Sequence, residues 1–203
     1  MKIGRLLTAM ITPFNENGDI NYDMAAKLSK AIIDSGSDGL VIGGTTGEAP
    51  TINDQEKLKL FSIVKESIGP EHALIAGTTN NNTKESVKLS KLAEAAEVDG
   101  LLLTVPSYNK PTQDGLYQHF KSISEEVSIP CILYNVPSRT SLNMTDETTI
   151  KLSNLKNIVG IKEASSDLDQ ITRIISNTSD DFKVWSGNDN ETLYILSAGG
   201  YGI

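Results

Sequence analysis

The 203-residue sequence predicts an α/β fold of the (β/α)8 barrel type. Three observations carry that prediction. Short β-like runs recur roughly every 30 residues, a period that marks a repeated supersecondary unit. Most runs are continuous in apolar residues and do not alternate, as parallel strands buried on both faces require. Amphipathic segments separate them from end to end, with no Gly/Ser linker and no change of composition to mark a domain boundary. A doubly wound sheet fits less well, because it usually has fewer strands and its first turn would carry a Gly-rich phosphate-binding fingerprint that is absent here.

The first strand is read over Leu6–Thr12. Met1 and Lys2 ahead of the apolar stretch from Leu6 to Ile11 are the nearest thing to a signal peptide, but the stretch is short, contains Thr8 and lacks a small-residue cleavage site. A weak helix over Met24–Asp34 leads to the second run, Gly39–Gly43. Asn53 and Glu56 then have the N-cap and N3 spacing of a capping box, and Leu58, Phe61 and Ile68 lie near one face before Gly69-Pro70 ends the helix. Ala73–Gly77 is the third run, followed by a weak helix over Lys84–Glu97 and the fourth run, Gly100–Thr104. Thr112 opens a helix marked by Leu116, Phe120, Ile123 and Val127, and Pro130–Tyr134 is the fifth run. Thr145–Asn154 leads to the sixth run, Ile158–Lys162. Leu168, Ile171, Ile174 and Ile175 mark the next helix before the seventh run, Lys183–Gly187. Asn190–Ala198 is a last weak helix, and Gly200–Ile203 begins an eighth strand. A closed barrel needs that strand and a helix after it. The expectation is therefore one barrel domain over residues 1–203, truncated within or just after the start of strand eight, with strand seven left as an open edge.

Composition excludes several function classes. Apolar residues make up 38% and charged residues 22%, so collagen-like, coiled-coil and disordered chains are out. A net charge of −8 repels a phosphate backbone, which argues against a nucleic-acid partner. No stretch approaches the roughly 20 apolar residues of a membrane helix. The lone Cys131, between Pro130 and Ile132-Leu133, reads as a buried reduced thiol, from which a cytoplasmic location is expected. His72 and His119 lie in or beside helical stretches, so neither a nucleophilic triad nor a metal site finds support.

Barrel chemistry collects at the C-terminal strand ends. Lys162 ends an apolar run, where a partly desolvated ammonium loses pKa and the free amine can attack a carbonyl carbon as a Schiff-base nucleophile. The alternative is a lysine that reaches solvent or pairs with Glu163. Tyr134, at the end of the adjacent strand, reads either as a proton donor and acceptor beside Lys162 or as an aromatic that fills the lumen. Thr45 and Thr46 place hydroxyls among glycines, suited to an anion or a proton relay, or simply cap a Gly-rich turn. Arg139 offers a bidentate fork for a carboxylate, or a surface ion pair.

G-G-T-T-G-E at 43–48, Y-N-V-P-S-R-T at 134–140 and G-I-K-E at 160–163 together resemble the dihydrodipicolinate synthase family of pyruvate-dependent class I aldolases, over the whole chain. The resemblance implies that Lys162 forms an imine with pyruvate and that Tyr134, Thr45 and Tyr108 form a proton relay, Tyr108 reaching across a dimer interface into the neighbouring site. It implies that Thr46 helps hold the pyruvate carboxylate, that Arg139 receives the carboxylate of L-aspartate 4-semialdehyde, and that Gly187 and Ile203 line the pocket, Ile203 through its carbonyl. The product would be 4-hydroxy-tetrahydrodipicolinate, on the route to lysine and diaminopimelate. No metal or organic cofactor is implied, because the lysine is the electron sink, and a homodimer or homotetramer is expected. The family also carries a C-terminal helical region beyond the part matched here. Inhibited members hold lysine near the matches of residues 49–57, 81, 85 and 107. Here Ser107 replaces an aromatic, and Asp54 and Lys57 stand where histidines are often found, so weak lysine inhibition is expected. A sister aldolase such as N-acetylneuraminate lyase or a 2-keto-3-deoxy sugar acid aldolase shares the Lys and Tyr, and a non-catalytic fragment is the alternative outside enzymes.

Overall fold

A computed structural model describes residues 3–203, so Met1 and Lys2, which opened the signal-peptide comparison, lie outside the described residues. The strands are β1 (Leu7–Ala9), β2 (Gly39–Ile42), β3 (Ala73–Gly77), β4 (Gly100–Thr104), β5 (Cys131–Asn135), β6 (Ile158–Glu163) and β7 (Lys183–Ser186). They form one parallel sheet in sequence order, β1 to β7. Between them run α1 (Tyr22–Asp34), α2 (Asp54–Ile68), α3 (Thr83–Ala95), α4 (Gln113–Ser124), the short α5 (Pro137–Thr140), α6 (Asp146–Leu152) and α7 (Leu168–Asn177), with α8 (Thr192–Ser197) after β7.

Local chemistry explains the helix starts. Asn21, Asn82, Thr112, Thr145 and Asp167 each accept a backbone N–H of the first turn through the side chain. Asn53 and Glu56 form the reciprocal capping box that their spacing predicts. Two apolar layers follow from the double-sided strands. Leu40, Ile42, Leu74, Leu101, Leu103 and Leu133 join the helices in the larger cluster, whereas Val41, Ile75, Leu102, Ile132 and Trp185 fill the lumen.

Two boundaries differ from the sequence reading. The first strand is confined to Leu7–Ala9, because only Met10 N–H, bonding to Val41 O at 3.1 Å, continues the ladder before the chain turns away. The terminal segment is extended but forms only one parallel bridge, Trp185 with Gly202. It nevertheless partners strand seven, so the expected open edge is corrected. Tyr201 N–H bonds to Val184 O at 2.7 Å and Ser186 N–H to Gly202 O at 2.8 Å on one side. On the other, Ile203 N–H bonds to Arg5 O at 2.8 Å and Leu7 N–H to Ile203 O at 2.9 Å. The sheet thus curls until residues 201–203 tie β7 to β1. Glycine is required in this seam, because a Cβ on Gly202 would sit 2.1 Å from Arg5 O. Among the described residues no helix is long and apolar enough to cross a membrane.

Candidate active site

Strand alternation aims Lys162 into the lumen at the C-terminal end of β6, and parallel register sets it between Tyr134 of β5 and Trp185 of β7. Its ammonium lies 4.8 Å from the Tyr134 ring centroid. Burial pushes the Lys162 pKa down, with the Asp189 carboxylate pulling the other way. Lysine at this position therefore yields a free amine at lower pH than in water, the state a carbonyl nucleophile needs. Glu163 is not its ion-pair partner. That side chain points to the opposite face of β6, away from the lumen, as the period of two demands.

Tyr134 is almost fully buried, and burial raises its pKa against the opposing influences of Arg139 and of a Thr45 hydrogen bond. The phenol is thus held protonated and linked to the turn after β2. That turn depends on Gly43, whose φ of 68° is open to glycine. Thr45 and Arg139 line an open cleft of about 570 Å³ above the strand ends, together with Lys57, Asn81 and Ser107. Lys162 lies below it, at an interior void of about 20 Å³ shared with Val41, Ile132, Trp185 and Ile203. Nucleophile and wide cleft are therefore stacked, with Tyr134 and Thr45 between them.

Thr46 is exposed in the same turn, beside Thr45 but outside the cleft lining. Gly187 lies where β7 ends, its N–H bonded to Glu163 O at 2.7 Å; a Cβ there would stand 2.7 Å from Ala164 Cβ. Ile203 shares the void with Lys162, and its carbonyl accepts Leu7 N–H. Tyr108 is not brought to these residues. It sits 90% exposed on a turn with φ of 69°, pointing out of its own chain. Asp189, in the 3-10 turn Asp189–Glu191 after β7, was not singled out by the sequence reading, although an acid two residues beyond the strand-end Gly187 was the available signal. No His, Cys, Asp and Glu cluster fit for a metal ion occurs among the described residues. Cys131 is buried, its thiol pushed up to about 12, and is inert as a nucleophile.

Comparison with known proteins agrees with this geometry. The family model described as the dihydrodipicolinate synthetase family matches residues 2–203. A 4-hydroxy-tetrahydrodipicolinate synthase of Dehalococcoides mccartyi is 54% identical over 202 residues, covering 100% of this chain and 68% of the relative. The crystal structure of a dihydrodipicolinate synthase from Bacillus anthracis superposes with a TM-score of 0.98 at 44% identity, covering 100% of this chain and 70% of that one. A chloride-inhibited dihydrodipicolinate synthase from Acinetobacter baumannii, complexed with pyruvate, gives a TM-score of 0.96 at 36% identity, covering 99% and 69%. With the motifs in order at the strand ends and the match extending over essentially every residue, the chain belongs to the dihydrodipicolinate synthase family.

Proposed function

We propose that the chain condenses pyruvate with L-aspartate 4-semialdehyde to 4-hydroxy-tetrahydrodipicolinate, through an imine on Lys162. The observation that carries this reading is the desolvated Lys162 amine at the lumen end of β6, beside the Tyr134 phenol. The amine adds to the pyruvate carbonyl carbon and water leaves, giving an iminium. Loss of a methyl proton gives the enamine, whose carbon attacks the aldehyde. The amino group of the second substrate then adds to the iminium carbon, closing the ring and expelling Lys162 as the free amine. The protonated lysine nitrogen serves as the electron sink, so the family's chemistry needs no organic cofactor.

The remaining roles are those that the family resemblance implies. Tyr134, hydrogen-bonded to Thr45, shuttles protons to and from the carbinolamine and the new alkoxide. Thr46 and the glycine-flanked turn hold the pyruvate carboxylate, and the Arg139 fork receives the carboxylate of the aldehyde in the cleft above. Ile203 borders the void beside Lys162, and Gly187, at the exit of β7, lies next to the chain that carries Lys162. Tyr108, projecting from its own chain, completes the relay of a neighbouring copy in a homo-oligomer. Borohydride reduction in the presence of pyruvate is expected to label Lys162, read by peptide mapping, and aspartate semialdehyde is expected to turn over. A label on Lys110 or Lys151 with none on Lys162 would sink the reading. A Lys162 adduct without semialdehyde turnover would assign the chain to a sister pyruvate aldolase.

A further inference from the structure

Behind the Tyr134–Lys162 pair, on the helix side of the sheet, lies a carboxylate that the chemistry above does not use. Glu163 is fully buried, and so is Asn135, its register partner on β5, one position beyond Tyr134 and Lys162. Asn135 Nδ2 donates to Glu163 Oε1 at 3.0 Å and approaches Oε2 at 3.4 Å. Ser165 N–H donates to Oε1 at 2.9 Å, and Gln170 Nε2 to Oε2 at 3.4 Å. Every one of these partners is a donor. The main chain of the same two residues ties the strand exits together, with Ala164 N–H on Asn135 O at 2.9 Å and Gly187 N–H on Glu163 O at 2.7 Å.

No cation neutralises Glu163 among the described residues. On the packed elements, Ser186 of β7 and Asn135 of β5 are uncharged, Asp146 of α6 is paired with Arg173 of α7, and Asp167 and Asp169 lie at the head of α7. Lys162, on its own strand, faces the lumen. None of these charges contributes to the Glu163 pKa, which burial pushes up to about 7 against the pull of the surrounding donors. A carboxylate fits an all-donor cage. A neutral acid fits less well, because of the groups that reach it only the Ser165 hydroxyl can accept its O–H, and the amide and backbone N–H donors keep fewer acceptor lone pairs to share.

We propose that Glu163 is a positioning residue for the Schiff-base lysine: as a carboxylate stapled to Asn135 it holds the ends of β5 and β6 in the geometry that sets Lys162 against Tyr134, and as a neutral acid it loosens that staple. The proposal deepens the Lys162 reading and rests on it. Its test is the rate of pyruvate adduct formation on Lys162, trapped by borohydride across the neutral pH range, with thermal melts as a check on folding. The wild-type rate should fall on the acid side as Glu163 takes up its proton. Glu163→Gln places an amide among the donors and so imitates the neutral acid at every pH. It should react at least about tenfold more slowly above neutrality, toward the roughly 10²-fold that an ångström of misplacement costs, and lose the part of the acid limb that Glu163 sets, keeping only the fall that protonation of the Lys162 amine causes. Gln170→Met removes one donor from the charged form and should move the limb to higher pH without labelling a different lysine. Wild-type rates in Glu163→Gln, or slower rates with the limb unmoved, overturn the proposal. If Glu163→Gln does not fold, an unmoved limb in Gln170→Met overturns it alone. Failure of the wild type to label Lys162 overturns the imine reading and this proposal with it.

Discussion

Lys162 and Tyr134 were legible in the sequence because their signal is local: a polar residue ending an apolar run at a strand exit has one place to point. If the Tyr134 phenol carries protons, Tyr134→Phe should keep its melt and slow turnover by about 10²–10⁴-fold. Unchanged turnover would leave the ring as lumen packing. Asp189 had a signal in its place just past the strand-end Gly187, whereas the donor cage around Glu163 was not legible, since it depends on side chains that approach from separate elements. The same holds for His119 on α4, whose Nδ1 lies 2.9 Å from Thr83 Oγ1 of α3 while Nε2 is buried with no partner. Burial pushes its pKa from the usual 6.5 down to about 4. The unfolded chain then binds a proton that the folded chain refuses between those values, so stability drops as pH falls through this window and is unaffected by His119 above it. The loss grows to about 3 kcal/mol as pH falls to the folded value near 4, where the folded histidine begins to protonate as well. Denaturant melts at pH 7 and pH 4 should show His119→Met losing less stability on acidification than the wild type by an amount of this order. Equal losses would show that the imidazole finds a partner on acidification.

Among the elements, helix starts were read best, because caps and first turns are written in adjacent residues, as with Asn53 and Glu56. Short elements were missed: the 3-10 turn Ala49–Thr51 and the helix Pro137–Thr140 are too brief to show a period, and both border the cleft. Both supply functional geometry through loop position rather than amphipathicity. The capping box also orients α2 so that Lys57 is carried to the cleft wall, 9% exposed. Burial lowers its pKa while Asp54 on the same helix raises it. No salt-bridge partner meets it among the described residues. A second amino group entering beside that ammonium would be repelled in a poorly screened site, and Ser107 offers no aromatic face to offset the repulsion. Lysine should therefore inhibit turnover weakly, and Lys57→Ala should inhibit more strongly at the same dose. Tight sigmoidal inhibition of the wild type would contradict this account of α2.

At the scale of the molecule, the parallel barrel class follows from run spacing and apolar continuity, which survive any error in element ends. The manner of its closure does not, because the seam joins Arg5 and Leu7 to Ile203 across almost the full chain. Gly202→Ala tests the seam directly: with 2.1 Å between the new Cβ and Arg5 O, the pairing must open, and thermal stability should fall by about 2–4 kcal/mol. A melt matching the wild type would show that the seam adjusts without cost. The topology also orders events in time. Every other strand pair in the sheet joins neighbours in sequence, so assembly can proceed by accretion of adjacent units, each closing only a short loop. The β1 contact with residue 203 is the exception, closing a loop of nearly the entire chain, and it gains nothing until both ends are in place. Seam formation therefore comes after the rate-limiting barrier to folding, and Gly202→Ala should quicken unfolding while leaving the refolding rate nearly untouched.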